Sequence, residues 1–511
     1  MTLGHDDHHY HHERSIGLNS HVTTYEPLQP HQPAHCCYCC YRKGPGGEPT
    51  WLFACTPCRC CFCSLCGLLL IVLGAEFTVG YFVSKAFVQR HYAVEENVTS
   101  CTLKPEDLKA GNTFCGYEHG NLLTPKNMTH SLWFPACTNT YLIDEMAEFN
   151  KRHDYKEVRF FSRAVDGGPP KVMLTGWWLP ATQPQAPVII VVHGENENYN
   201  DWSVQLPAYF LRSMGFSVLI PNLRDHGSSG RSTGRGGAVD ESKNFDCAAG
   251  YSNWRKGWSD KKKQWCCKTC GFACPDGDSR ADAMITWGYA YHLDVLGAWD
   301  YLLQDTNGVF GGPVPANKIG LMGHGMGGFV AAIATGVEPT VRGAWLDTPV
   351  YSPRNMMKFD LEELMGLVST AFIHVSWFLA TKFAGADLEA ETPKNAVAAR
   401  AAALCKVALV ANTQDSFVPF SETELLRTDL LANSAYKVEE YFAEPARCGI
   451  KDRLTLAAWK PDTYRQKLCD FWTNAFGISL DACGISELPH FATDVGSSDS
   501  WAPRPVNIFV A

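Results

Sequence analysis

The chain is poor in charged residues and has no excess of basic ones. Charged residues make up 19% of the 511 positions, and Lys and Arg together number 44 against 53 for Asp and Glu. With 46% hydrophobic residues, so few charges exclude a solvated coil as a description of the whole chain. The net charge of -9 argues against nucleic acid as a partner.

Long hydrophobic runs are also scarce, and one of them divides the sequence. The run CGLLLIVLGAEFTVGYFVSKAF, residues 66–87, has the roughly 20 residues that a bilayer-spanning helix needs. It lies too far from the N-terminus for an ordinary cleaved signal peptide, so we expect a signal anchor and an integral membrane protein. A buried helix of a soluble protein is the alternative.

Cysteines and glycosylation sequons indicate the orientation of this anchor. Twelve of the 22 cysteines follow the run, an even number that can pair in an oxidising compartment. The two Asn-x-Ser/Thr sequons, at Asn97 and Asn127, also follow it. We therefore expect a single-pass type II protein of the plasma membrane or a secretory-pathway organelle, with its C-terminal part lumenal or extracellular.

The segment before the run, residues 1–64, concentrates cysteines in doublets. CCYCC occupies Cys36–Cys40, and CTPCRCCFC occupies Cys55–Cys63. Structural zinc needs separated ligand pairs around a small fold, whereas crowded cysteines beside a membrane span favour palmitoylation. We expect a cytosolic segment that is a candidate for palmitoylation, and neither a metal nor a cofactor.

Beyond residue 150 the pattern becomes one of alternating strands and helices. The apolar run Pro187–Val192 leads into His193-Gly194, and the run Ser217–Pro221 leads into Arg224-Asp225-His226-Gly227. Short, wholly apolar strands are typical of positions buried on both faces of a sheet. The alternation predicts an α/β protein with a mostly parallel sheet and helices on both faces.

Three motifs give this region a family resemblance. VVHG, GFSVLIPNLRDHGSSG and KIGLMGHGMGGFVAA follow in the order and spacing of α/β-hydrolases, and the chain resembles the serine aminopeptidase and acylglycerol lipase branch over about residues 155–478. The resemblance implies the α/β-hydrolase fold and places Gly325 at the nucleophile position of the elbow. It places Asp415 at the acid position and the backbone amides of Glu195 and Met326 at the oxyanion hole. Arg224, His226 and Asp294 resemble polar contacts that stabilise this fold.

Two members of the expected triad are missing from the sequence. Gly325 has no side chain, so it cannot attack a carbonyl or form an acyl intermediate. No histidine occurs between His374 and His490, where the family carries its base. We expect a catalytically degenerate domain that binds a small apolar ligand or a protein or glycan partner. The alternative is an active esterase, lipase or peptidase with an unorthodox nucleophile such as Ser352 or Ser416.

Two additions are expected on the hydrolase-like domain. Residues 246–278 form a Cys/Trp insertion whose Cys247, Cys266, Cys267 and Cys274 are disulfide candidates. Residues 355–400 form a cap, and we expect its apolar stretch Leu364–Phe383 to be a cap helix. A second membrane span and a lid resting on the bilayer surface are the alternatives. The predicted order is a cytosolic segment at 1–64, a transmembrane helix at 66–87, a Cys-containing stalk at 90–150, the hydrolase-like domain at 151–480 and a tail at 481–511.

Overall fold

A computed structural model describes the fold. It describes residues 42–43, 49–50, 57–88, 140–169, 171–195, 197–199, 201–226, 229–230, 257–259, 261–263, 284–401, 404–415, 417–443, 457, 460–479 and 483. The chain divides into two compact units, Met1–Val72 and Leu73–Ala511.

The first unit contains a short hairpin and the start of a long helix. Strands β1 (Arg42–Lys43) and β2 (Pro49–Thr50) pair antiparallel. Helix α1, Pro57–Val88, begins in this unit and ends in the second. The cysteines of the CCYCC run, Cys36–Cys40, and Cys55 lie outside the described residues. Palmitoylation of this segment stays a prediction.

The second unit is built on an eight-stranded sheet. Its strands are β3 (Lys156–Phe161), β4 (Met173–Leu179), β5 (Val188–Val192), β6 (Ser217–Pro221), β7 (Ile319–His324), β8 (Gly343–Asp347), β9 (Cys405–Asn412) and β10 (Tyr436–Ala443). Their spatial order is β3-β4-β6-β5-β7-β8-β9-β10. The β3–β4 and β4–β6 pairs are antiparallel and the other five are parallel. The predicted α/β class with a mostly parallel sheet is confirmed.

Helices cover both faces of this sheet. The helices of the second unit after α1 are α2 (Thr140–Arg152), α3 (Trp202–Ser213), α4 (Tyr291–Gln304), α5 (Met326–Val337), α6 (Pro353–Met365), α7 (Ser369–Ala384), α8 (Pro393–Ala399), α9 (Phe420–Ala432) and α10 (Pro461–Phe476). Strand β5 shows why its sequence is wholly apolar. Val188, Ile190 and Val192 face a core cluster with α4 and α5, and Ile189 and Val191 face a second cluster with α3 and α10.

The cap is inserted between β8 and β9 and consists of α6, α7 and α8. The apolar stretch that begins at Leu364 is not one continuous helix, because α6 ends at Met365 and α7 begins at Ser369. Gly366, with φ of 60° and ψ of −140°, makes the break in a backbone region that other residues rarely adopt. The cap helix is therefore a 16-residue segment, shorter than a bilayer-spanning helix requires.

The hydrolase-like domain extends at both ends beyond the core of the sheet. Helix α2 begins at Thr140, eleven residues before the predicted start of the domain at residue 151, and its Leu142 and Met146 are fully buried in the cluster that contains α3. At the other end a disulfide joins Cys469 on α10 to Cys483, so the start of the predicted tail is tied to the domain. Burial of α2 explains the first extension, because its apolar face needs the domain as a partner.

The Cys/Trp insertion is described only at residues 257–259 and 261–263. There Trp258 is buried, and the Lys262 ammonium lies 4.1 Å from the centroid of its ring, a cation–π contact. The disulfide candidates Cys247, Cys266, Cys267 and Cys274, and the sequon residues Asn97 and Asn127, lie outside the described residues.

Candidate functional site

The turn between β7 and α5 has the shape of a nucleophile elbow. Gly325 links the two elements with φ of 52° and ψ of −120°. In this conformation a residue with a side chain would be strained, whereas glycine is not. The Gly325 amide donates to the carbonyl of Asp347 at 3.0 Å, and its carbonyl accepts from the Phe329 amide at 3.1 Å. The elbow backbone is therefore retained at a position that presents no side chain.

The glycines on either side of Gly325 are needed for close packing. A Cβ on Gly323 would collide with the carbonyl of Gly327, and a Cβ on Gly327 would collide with the carbonyls of Val192 and His193. The first turn of α5 thus lies directly against the end of β5. This contact places the amide of Met326, the first residue of α5, beside the loop that follows β5.

A buried carboxylate organises that loop. Oε2 of Glu197 accepts hydrogen bonds from the Gly194 amide at 2.7 Å and from the Ser203 hydroxyl at 2.8 Å. It also lies 2.6 Å from Nε2 of His324, the residue that precedes Gly325. Glu197 therefore joins the predicted oxyanion loop to the elbow strand. Glu197 was not predicted as a site residue, because its only signal in the sequence is its place in the polar run after His193-Gly194.

His193 has a structural role in the same loop. The Leu223 amide donates to its Nε2 at 3.0 Å, so Nδ1 carries the proton and donates to the carbonyl of Gly194 at 2.8 Å. With one ring nitrogen accepting from a backbone amide, the imidazole is neutral. His193 fixes the end of β5 against the end of β6 and is not free to act as a base.

The polar residues after β6 form a buried ion pair. The Arg224 guanidinium donates to Oδ1 of Asp294 from Nε at 2.9 Å and from Nη2 at 2.7 Å, and both side chains are fully buried. The Arg224 amide also donates to Oδ2 of Asp294 at 2.7 Å. Burial raises the pKa of Asp294, and the guanidinium opposes that rise. These contacts fit the predicted role in stabilising the fold.

Asp415 lies at the carboxyl edge of the sheet, in the turn after β9. Its Oδ1 accepts from the amides of Phe417 and Val418 at 2.7 and 2.8 Å. The elbow follows β7 at the same edge, because β7, β8 and β9 are adjacent and parallel. Parallel strands bring their carboxyl ends together, which is where open α/β sheets bind ligands. The acid position and the nucleophile position therefore share one edge.

A further buried carboxylate, that of Asp347, lies at the end of β8, between the strands that lead to the elbow and to Asp415. Asp347 ends β8 opposite His324, and its Oδ1 and Oδ2 accept from the hydroxyls of Thr348 at 3.0 Å and Tyr464 at 3.1 Å. Burial, and then the charge of Asp347, raise the pKa of the Tyr464 phenol. The paired hydroxyls hold this carboxylate within the core.

Of the two alternative nucleophiles, the structure describes only Ser352. Ser352 is the N-cap of α6, where its hydroxyl oxygen accepts from the Asn355 amide at 3.3 Å and donates to Oε1 of Glu389 at 2.6 Å. Ser416 and His490 lie outside the described residues. Among the residues that the structure does describe, no group of three or more His, Cys, Asp or Glu side chains is arranged to hold a metal ion.

Comparison with known proteins agrees with this architecture. The sequence model of the alpha/beta hydrolase fold family matches residues 187–372. No curated protein sequence matches the chain. Solved structures that resemble it include the Pyrococcus furiosus esterase Pf2001, at 16% identity over 64% of this chain and 94% of that one, with a TM-score of 0.39. Another is the Pyrococcus horikoshii acylaminoacyl peptidase, at 16% identity over 57% of this chain and 37% of that one, with a TM-score of 0.34.

A third is a puromycin-hydrolyzing peptidase of Mycobacterium tuberculosis, at 13% identity over 64% of this chain and 40% of that one, with a TM-score of 0.38. The family match spans the strands β5 to β8, the elbow and the first cap helix. On the strand order, the elbow and this match, the domain has the α/β-hydrolase fold.

Proposed function

We propose that this is a membrane-anchored α/β-hydrolase domain that binds its ligand without turning it over. The observation that carries the proposal is Gly325 at the point of the elbow, in a backbone conformation suited to present a nucleophile. A residue without a side chain cannot form the acyl intermediate of a serine hydrolase. A small apolar ligand, a protein or a glycan remains a candidate for what is bound.

The missing base supports the same conclusion. A water molecule in place of the serine would still need a group to take its proton. The sequence contains no histidine between His374 and His490. His193 and His324 lie near the elbow, but the first is held by backbone groups and the second by Glu197. Loss of nucleophile and base together removes both routes to hydrolysis.

The anchor in this proposal is α1. Leu65–Val88 is 24 residues long with a mean hydropathy of 2.0, and only 6% of its most apolar stretch is buried. Such exposure suits a helix in lipid better than a core helix. A signal sequence shares this length and composition, and N-terminal sequencing of the mature protein separates the two.

The proposed orientation places the domain in the lumen or outside the cell. The Cys469–Cys483 disulfide is the kind of bond that persists in oxidising compartments. The sequons at Asn97 and Asn127 lie on the same side of α1 as this disulfide. A glycosidase that lowers the apparent mass of the protein supports the orientation, and a protease-accessible domain on the cytosolic side contradicts it.

Labelling with a fluorophosphonate probe tests the loss of the nucleophile. We expect the full-length protein in detergent to remain unlabelled. Gly325→Ser restores a hydroxyl at the elbow but no base, so it too should remain unlabelled, with Gly325→Ala as the control for steric strain. Rapid labelling of the wild type at Ser352 or Ser416 supports the alternative of an active hydrolase with an unorthodox nucleophile.

A further inference from the structure

The last turns of α1 are part of the hydrolase domain. Gly80, Ser84, Phe87 and Val88 are buried, whereas the apolar residues before them on the helix are largely exposed. Successive buried residues are four, three and one positions apart in the sequence, and this spacing places them on one face of the helix. The Val88 carbonyl accepts from the Ile285 amide at 2.8 Å, which ties the end of α1 to the domain.

The partner of this face is the cap helix α7. A Cβ on Gly80 would lie 2.9 Å from Cγ1 of Val375, so the two helices approach at a distance that only glycine allows. The Ser84 hydroxyl donates to the carbonyl of Ser376 at 2.7 Å. Tyr81 packs edge-on against Phe383 with ring centroids 5.3 Å apart. Small residues and a hydroxyl at a close helix crossing are typical of helix pairs in membranes.

For α1 as the proposed anchor, the length of the helix gives the depth in the bilayer at which α1 crosses α7. A bilayer core of about 30 Å is spanned by about 20 residues. Counted from Leu65, about 20 residues end near Ser84, so the crossing lies where the hydrocarbon ends and the headgroups begin. Tyr81, Phe82, Trp377 and Phe383 are close to this level, as expected for the aromatic belt of a membrane interface.

The cap exposes apolar side chains beside this crossing. Phe378 on α7 is 55% exposed, and Val368 and Leu364, just before α7, are 57% and 49% exposed. Lys382 is exposed with its ammonium 5.5 Å from the centroid of the Phe378 ring. Apolar side chains accompanied by a lysine are typical of helices that lie in the membrane interface.

We propose that α7 is a membrane-interfacial helix, so that the cap rests in the lipid of the bilayer that α1 crosses. Its occupant is bilayer lipid because α7 contacts α1 through Phe383 and Tyr81, and α1 exposes the apolar side chains of Phe77 and Phe82 at 59% and 55% on the same helix. This inference rests on the membrane anchoring proposed above. It adds that ligands approach the cap from the lipid, which favours an apolar ligand over a soluble one.

Photo-crosslinking from lipid tests the inference. The full-length protein is reconstituted in phosphatidylcholine vesicles that contain a phosphatidylcholine with a diazirine in its acyl chain, and adducts are mapped by mass spectrometry. We expect adducts on residues 364–383 at least about tenfold above those on α9, whose Leu425 and Leu431 are 42% and 54% exposed and serve as the matched control. Phe378→Asp should lower the α7 adducts several-fold, and Leu431→Asp should leave them unchanged.

The outcomes separate this inference from the anchoring. Adducts on α1 with α7 no higher than α9 overturn the lipid contact of the cap and leave the anchor in place. Absence of adducts on both α1 and α7 overturns the anchor as well. Crosslinks that join α7 to a second copy of the chain show that protein and not lipid covers this face, and they also overturn the inference. The wild-type map decides the matter even if an Asp variant fails to fold.

Discussion

Replacing Gly80 by leucine should destabilise the domain, whereas the same change six residues earlier should not. Gly80 lies at the crossing of α1 with α7, and its missing side chain makes room for Val375. Gly74 is on the same helix, and a Cβ added there meets nothing within 4 Å. Both variants gain the same helix propensity, about 1 kcal/mol, so this gain cancels in the comparison.

The size of the difference follows from the contacts at the crossing. Val375 is β-branched and cannot easily rotate its methyl group away, so overpacking should cost about 1–3 kcal/mol. Separation of the helices also breaks the hydrogen bond from Ser84 to Ser376, worth about 0.5–1.5 kcal/mol. We expect Gly80→Leu to be about 2–4 kcal/mol less stable than Gly74→Leu.

Thermal unfolding of full-length protein in detergent measures this difference. The chain has 15 tryptophans, so intrinsic fluorescence reports on the domain. Both variants are heated at one scan rate, because unfolding of large, disulfide-bonded proteins is often irreversible and the midpoint then depends on the scan rate. Gly80→Leu should unfold several degrees lower than Gly74→Leu, with Gly80→Ala in between. Equal midpoints for the two leucine variants refute the packing of α1 on the cap.

Three further experiments test the buried groups of the domain. Asp294→Ala leaves the buried Arg224 guanidinium unpaired and should cost about 3–5 kcal/mol in a denaturant titration, and a cost below about 1 kcal/mol contradicts this. Burial and the charge of Arg224 lower the pKa of His292 to about 4. In the unfolded chain a histidine has a pKa of about 6.5, so between about pH 6.5 and 4 the unfolded chain binds more protons than the folded one. The free energy of unfolding should therefore fall by up to about 3 kcal/mol as the pH drops over this range, and His292→Gln should flatten this slope. Burial raises the pKa of the Cys405 thiol to about 12, so maleimide should label it only after unfolding, and labelling of the native protein contradicts its burial.

Much of the fold was predictable because its signals are local. Strand β6 was predicted with its observed bounds, and β5 was predicted within one residue, because a wholly apolar run between polar turns can only be buried. The elbow was predictable because the steric need for Gly323 and Gly327 fixes the sequence at that turn. The turn after β9 that contains Asp415 was likewise predicted, and the role of Asp415 as the acid stays a prediction.

The contacts between distant segments were not predictable in the same way. Glu197 gains its role only when the loop after β5 meets His324, 127 residues further along the chain. Hydropathy identifies α1 as apolar, but it does not distinguish the exposed residues of this helix from Gly80 and Ser84, which face α7. The only local signal was the small residues four apart. Helix α2 was assigned to a stalk because nothing near it in sequence shows what buries Leu142.

The most direct test of binding without turnover is ester hydrolysis by the full-length protein. Wild type, Gly325→Ser and Asp415→Asn are assayed with short-chain nitrophenyl esters against heat-denatured protein as the blank. Because the elbow lacks a nucleophile and the sequence has no histidine between His374 and His490, we predict that all three match the blank. Turnover by the wild type at an ordinary enzyme rate, of about 1 per second or faster, that Asp415→Asn abolishes contradicts the account and identifies a working catalytic site.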